Sequence, residues 1–180
     1  MPITFGGPLA DRGGWQLAND DCSVAKAIDV LGTRSTMLVL REALYGTTRF
    51  DDFVRRTHST DAIVSSRLKR LTELGVLAKQ PYREPGERTR YEYHLTDRGK
   101  ELLPVVFGLM QWGNAHLQPD DGPFQLSDRA TGEPVVITAV TPSGKVVELD
   151  DLVVSANGDW ASASRERAAV DVDDLPGQMA

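Results

Sequence analysis

STDAIVSSRLKRLTEL, residues 59–74, sets Val64, Leu68 and Leu71 at helical spacing with Ile63 and Leu74 beside them, so one side of a helix here must be buried. The other side carries Ala62, Ser65, Ser66 and Lys69, flanked by Arg67 and Arg70. Thr60 suits the N-cap, where its hydroxyl can take up an amide left unpaired at the helix start, and Asp61 suits the positive end of the helix dipole. Gly75 is the expected stop. Taken alone, this pattern also fits a solvated surface helix with a basic outer face, and the choice between the two readings depends on the neighbouring segments.

Upstream, RFDDFVRRTH (Arg49–His58) repeats Phe50, Phe53 and Val54 at helical spacing, and a short turn through Ser59 joins it to the second helix. Two short helices linked in this way make a helix-turn-helix, whose second member can enter a DNA major groove while the first crosses the backbone. Downstream, Val76–Tyr82 and Arg88–Leu95 flank Glu84-Pro85-Gly86-Glu87, where Pro presets the first central turn position and Gly supplies a positive φ at the next. That is a β-hairpin. Tyr91, Tyr93 and Leu95 alternate with Arg90, Glu92 and His94 on its return strand, predicting one packed face and one solvated face. Helix, turn, helix and basic hairpin, in that order, describe a winged helix. Thr60, Ala62, Ser65, Ser66, Arg67, Lys69 and Arg70 on the helix are the candidate DNA contacts, joined by Arg83, Arg88 and Arg90 on the hairpin.

The formal charge of −6 conceals a marked division along the chain. Between Arg34 and Lys100 there are 14 Lys and Arg against 9 Asp and Glu, a local charge of +5, whereas from His116 to Ala180 there are 4 against 12, or −8. Local potential governs docking, so an overall acidic chain is compatible with a nucleic-acid partner.

In order, CSVAKAIDVLGTRSTMLVLREAL (Cys22–Leu44), RFDDFVRR, SSRLKRLTELGVL, YEYHLTDRGKELLPVV and WGNAHL resemble the HxlR-type winged-helix transcriptional regulators, over roughly Asp21 to Leu117. The resemblance implies a MarR-like homodimer on a pseudo-palindromic operator, with the helix at Asp61–Leu74 making base contacts and the hairpin making flanking ones. Two positions depart from the family pattern. Its usual Gly-x-Lys-Trp reads Gly32-Thr33-Arg34-Ser35, losing an aromatic, and positions that are often Pro and Lys at the start of the recognition helix are Asp61 and Ala62, so the family's base preference does not transfer. Cys22 matches a family cysteine before the first helix that responds to oxidants in some relatives. It is therefore a candidate redox sensor, against the alternative of an inert buried thiol near the dimer interface.

Thr96–Leu117 reads as a dimerisation helix, capped by Thr96 and kinked or divided by Pro104, which removes a ladder bond. Leu102, Val106, Leu109, Met110, Trp112 and Leu117 are the expected interface; full burial within the monomer is the alternative. Two-fold symmetry would then place two half-sites on double-stranded DNA. The expected fold class is α+β: a winged helix-turn-helix domain (residues 20–118) preceded by a flexible glycine-rich arm (1–19), with a helix starting near Asp20 or Asp21. A small antiparallel meander (119–158) and a mobile acidic tail (159–180) follow. The meander strands are Phe124–Asp128, Pro134–Thr141, Val146–Leu149 and Leu152–Ala156.

Catalysis finds little support. His58, His94 and His116 lack ligand spacing, one Cys excludes a multi-thiolate metal site within a chain, and no phosphate-cradling or nucleophile-elbow motif occurs. No cofactor is expected, a small-molecule effector is a candidate partner, and no membrane segment approaches about 18 apolar residues. The expected protein is cytoplasmic. The competing reading is a protein-interaction module that keeps the winged-helix shape without sequence-specific DNA binding.

Overall fold

A computed structural model describes residues 3–10 and 22–157. The chain forms two compact units, one over residues 19–137 and the other combining residues 1–18 with 138–180.

In the first unit, helix α1 (Ser23–Leu31) starts at Cys22, whose Sγ accepts a hydrogen bond from the Ala25 amide at 3.4 Å. The start expected at Asp20 or Asp21 lies outside the described residues. Helix α2 (Arg34–Leu44) is capped by Thr33, whose hydroxyl accepts from the Thr36 amide, and it contributes Val39, Leu40 and Ala43 to the core. Helices α3 (Phe50–Thr57) and α4 (Asp61–Glu73) follow, joined through His58, which is left-handed at φ 51°, and Ser59. Thr60 caps α4 as its position predicts, accepting from the Ile63 amide at 3.4 Å. Val64, Leu68 and Leu71 are wholly buried, and with Phe53, Val76 and Leu77 they make a continuous core against α2.

Strands β2 (Leu77–Tyr82) and β3 (Arg90–Leu95) pair antiparallel, with Leu77 opposite Leu95 and Tyr82 opposite Arg90. The turn closes as predicted: the Glu87 amide donates to the Glu84 carbonyl, and Gly86 takes φ 82°. A short third rung runs alongside, where Arg49 bridges to Glu92 and the Tyr93 amide donates to the Thr48 carbonyl at 2.8 Å. The alternation on β3 holds only near the core. Tyr93 meets Phe53 edge-on at 6.5 Å, and burial pushes its phenol pKa up. Tyr91, expected on the packed face, is 46% exposed instead, while Glu92 and His94, expected on the solvated face, are half-buried. The exposed Tyr91 ring takes the Lys79 ammonium, 3.9 Å from the centroid.

Thr96 links wing to helix: its hydroxyl donates to the Gly75 carbonyl at 2.6 Å and accepts from the Gly99 amide, capping helix α5 (Asp97–Lys100). Gly99 lies so close to the Val76 carbonyl that an added Cβ would stand 2.2 Å from that oxygen. The predicted division at Pro104 is present, with α5 ending at Lys100 and helix α6 running from Leu103 to Leu117. Val106 and Phe107 are buried. Residues 124–137 double back in a narrow hairpin in which the Val135 amide donates to Leu126 and the Asp128 amide to Glu133. Asp128 caps its turn, accepting from the Ala130 and Thr131 amides and the Thr131 hydroxyl; the Thr131 amide foremost holds its carboxyl below the usual range.

In the second unit, β1 (Thr4–Phe5) pairs parallel with β4 (Val153–Val154), so residues expected to form a flexible arm include a strand. A second narrow hairpin joins Thr141 to Lys145 and Val147 to Ala139. The extension is thus two short hairpins, each with an isolated bridge, plus a parallel pair made with the chain start. It is not one continuous antiparallel meander, because parallel pairing of β4 with β1 supplies a partner that adjacency in sequence does not. The acidic tail expected from Asp159 lies outside the described residues.

Candidate nucleic-acid interface

Burial of Val64, Leu68 and Leu71 fixes the rotation of α4 and leaves Thr60, Ala62, Ser65, Ser66, Lys69 and Arg70 exposed. The two serines are adjacent hydroxyls able to donate or accept at base edges. Lys69 makes only a loose pair with Glu73, one turn on at 3.9 Å, and Arg70 makes no ion pair among the described residues. Arg67 is placed differently from the expectation. It is half-buried, and its Nε donates to the Ser35 hydroxyl at 2.9 Å, tying α4 to the start of α2. Ser35 occupies the position where the family pattern has its aromatic, and here its hydroxyl accepts from Arg67. Arg67 thus anchors α4 to α2 through Nε.

The wing brings together a cleft lined by Arg49, Tyr82, Glu84, Glu87, Arg88 and Arg90. Arg83 bonds through Nε to the Glu87 carbonyl, bracing the turn while keeping its charge, and Arg90 forms an exposed pair with Asp51 at 3.3 Å. Arg88 has no ion pair among the described residues, which leaves its charge available. Sequence reasoning missed Arg49, which organises the outer half of the wing. Its Nη1 donates to Glu84 at 2.8 Å, its Nε to Glu92 at 3.4 Å, and its guanidinium sits 4.7 Å from the Tyr82 ring centroid. The bond to Glu84, foremost, raises its pKa above an already high ordinary value. The signal in sequence was the pair of wing carboxylates, Glu84 and Glu92, which need a cation; nothing local identified which one.

The expected interface residues of α6 divide between two faces. Val106 is buried in the chain's own core, and Leu102 packs against that core half-buried, so these two are corrected to core positions. The helix is apolar nearly all round, and spacing alone cannot say which side meets its own domain. Met110 is half-buried beneath the Tyr45 hydroxyl, 3.6 Å from its sulfur. Leu109, Trp112 and Leu117 are exposed, and Val105 extends the outer stripe. Val24 and Ile28 of α1 add exposed apolar surface to a groove shared with Val105 and Leu109. Sequence reasoning missed this contribution of α1. Cys22, half-buried, is the cap of that same helix. Among the described residues no helix is long and apolar enough to cross a membrane, and no group of three or more His, Cys, Asp or Glu could hold a metal ion.

A family model described as HxlR-like helix-turn-helix matches residues 30–121. An HTH-type transcriptional regulator of Mycobacterium tuberculosis is 39% identical over 112 residues, which cover 62% of this chain and 70% of the relative. Two solved structures of candidate transcription factors are also similar. PA1607 is 33% identical with a TM-score of 0.65, over 76% of this chain and 95% of its own. PA1374 from Pseudomonas aeruginosa is 31% identical with a TM-score of 0.58, over 81% of this chain and 99% of its own.

Proposed function

The chain belongs to the HxlR-like helix-turn-helix family of transcriptional regulators, and on that premise we propose that it is a homodimeric repressor reading a pseudo-palindromic operator. One observation carries the reading: α4, second in the helix-turn-helix, buries Val64, Leu68 and Leu71 completely and turns Ser65, Ser66, Lys69 and Arg70 outward as a polar, cationic face. Base contacts fall to Ser65, Ser66 and Lys69. Arg70 and Arg88 neutralise phosphates, and the wing, held by Arg49, supplies the flanking contacts.

The dimer is supported by the exposed apolar stripe Val105, Leu109 and Trp112 on α6 with Val24 and Ile28 on α1, since contiguous apolar surface of this kind marks an association site. Two-fold pairing through it makes the operator symmetric. Cys22 stands at the start of one of those helices, and oxidation of its sulfur by an external oxidant would change the size and polarity of the group that caps α1; on this basis a redox response is part of the proposal.

Selection of bound sequences from a random duplex pool tests the reading. Enrichment of an inverted repeat is the expected result. Salt-sensitive binding with no enriched sequence would reject operator reading and leave the protein-interaction module in its place.

A further inference from the structure

We infer that the cleft between α6 and the doubled-back chain of residues 119–137 binds a small amphiphilic ammonium compound, a single apolar ring or equivalent body carrying a protonated amine. The cleft is open to solvent along one side and offers about 270 Å³, walled by Phe107 and Met110 on the helix and by Leu126, Val135 and Ile137 opposite. It is held open by two side chains three residues apart on α6. The Gln111 carboxamide pairs in both directions with one backbone residue, accepting from the Ile137 amide at 2.7 Å and donating to the Ile137 carbonyl at 3.2 Å. Asn114 donates to the Phe124 carbonyl at 2.8 Å. These clamps fix both ends of the hairpin 124–137 against the helix, so the space between them is preformed.

The formal charge lining the cleft has one sign, beside the neutral carboxamides of Gln111, Asn114 and Gln125. Asp121 is the single ionised group lining it, and no Lys or Arg does. The residue is delivered there by a turn in which Asp120 and Asp121 are both left-handed, at φ 53° and 57°, a strained conformation for two consecutive side-chain-bearing residues. Asn114 has committed an N–H to Phe124, which leaves its carbonyl oxygen beside the same turn as an acceptor. Apolar walls, a carboxylate and an acceptor amide complement a ligand with an apolar body and a cationic donor head, and they oppose an anion. Neither α4 nor the wing contributes to this cleft, and the inference does not depend on operator reading.

Calorimetric titration of the full chain, without DNA, tests it with three probes of one shape: 2-phenylethylammonium, 2-phenylethanol and 3-phenylpropionate. The expected result is saturable binding of the ammonium at least tenfold tighter than the alcohol, with no binding of the carboxylate. In Asp121→Asn the preference for the ammonium over the alcohol should vanish while alcohol binding is retained. In Ala115→Trp, which puts a ring into the cleft from an exposed helix position, both should weaken at least tenfold. Failure of the ammonium to bind, equal binding of all three probes, an unchanged preference in Asp121→Asn, or undiminished binding in Ala115→Trp would each overturn the assignment.

Discussion

Replacing Arg88 with Ala should weaken binding to every duplex alike and flatten its salt dependence. Arg88 lies at the wing cleft with no ion pair among the described residues, so its whole charge is available to a phosphate, whereas Arg90 already faces Asp51. Each phosphate neutralised contributes about 0.9 to the slope of log affinity against log salt, and the proposed symmetric dimer would carry two wings, so the variant should lose about 1.8 from that slope. Between 50 and 200 mM salt, a fourfold change, the wild type should therefore lose about 12-fold more affinity than the variant. Ser66→Ala should do the opposite: it leaves the slope unchanged and costs about 1–3 kcal/mol at operator variants where a base contact is lost. Fluorescence anisotropy with the selected operator and a scrambled duplex, at several salt concentrations, separates the two. If Arg88→Ala altered sequence preference with an unchanged slope while Ser66→Ala altered the slope alone, the division of labour between helix and wing would be refuted.

Leu109→Asp should convert the proposed dimer to monomers in light scattering, since it sets a charge in the exposed stripe of α6; a persistent dimer would move the interface elsewhere. Leu68→Ala should cost about 2–5 kcal/mol in denaturant unfolding because the side chain is wholly buried, and a change under 1 kcal/mol would contradict that packing. Diamide should change operator affinity in the wild type and leave Cys22→Ser unaffected; equal responses in both would remove Cys22 as a sensor. Thr131→Val removes one of the donors that depress the Asp128 pKa, so in an NMR titration the carboxyl should shift upward. Because the folded value lies below the ordinary one, this capping interaction stabilises above the usual carboxylate range and is lost as pH falls through the folded value, and the variant should lose it at a higher pH. An identical titration curve would show that the hydroxyl plays no part.

Periodicity and capping chemistry are properties of a few consecutive residues, and whatever rested on them was legible in the chain. The buried triad Val64, Leu68 and Leu71, the caps at Thr60 and Thr96, the Pro85-Gly86 turn and the break before Pro104 all needed only helix or turn geometry applied to neighbours. They were sufficient to order helix, turn, helix and wing, and hence to define the exposed face of α4. What only the tertiary structure decided were pairings between residues far apart in sequence. Arg67 looked like one more outward cation until Ser35, 32 positions away, took its Nε. Arg49 resembled any surface arginine until the fold placed Glu84 and Glu92 around it. Val106 and Leu109 lie on a helix with apolar residues on every side, so no count of spacing could send one into the core and leave the other exposed; the position of the rest of the domain did. The physical reason is common to all three: a charge or an apolar side chain states what kind of partner it needs, but the partner's identity depends on where distant segments are brought together by burial of the core.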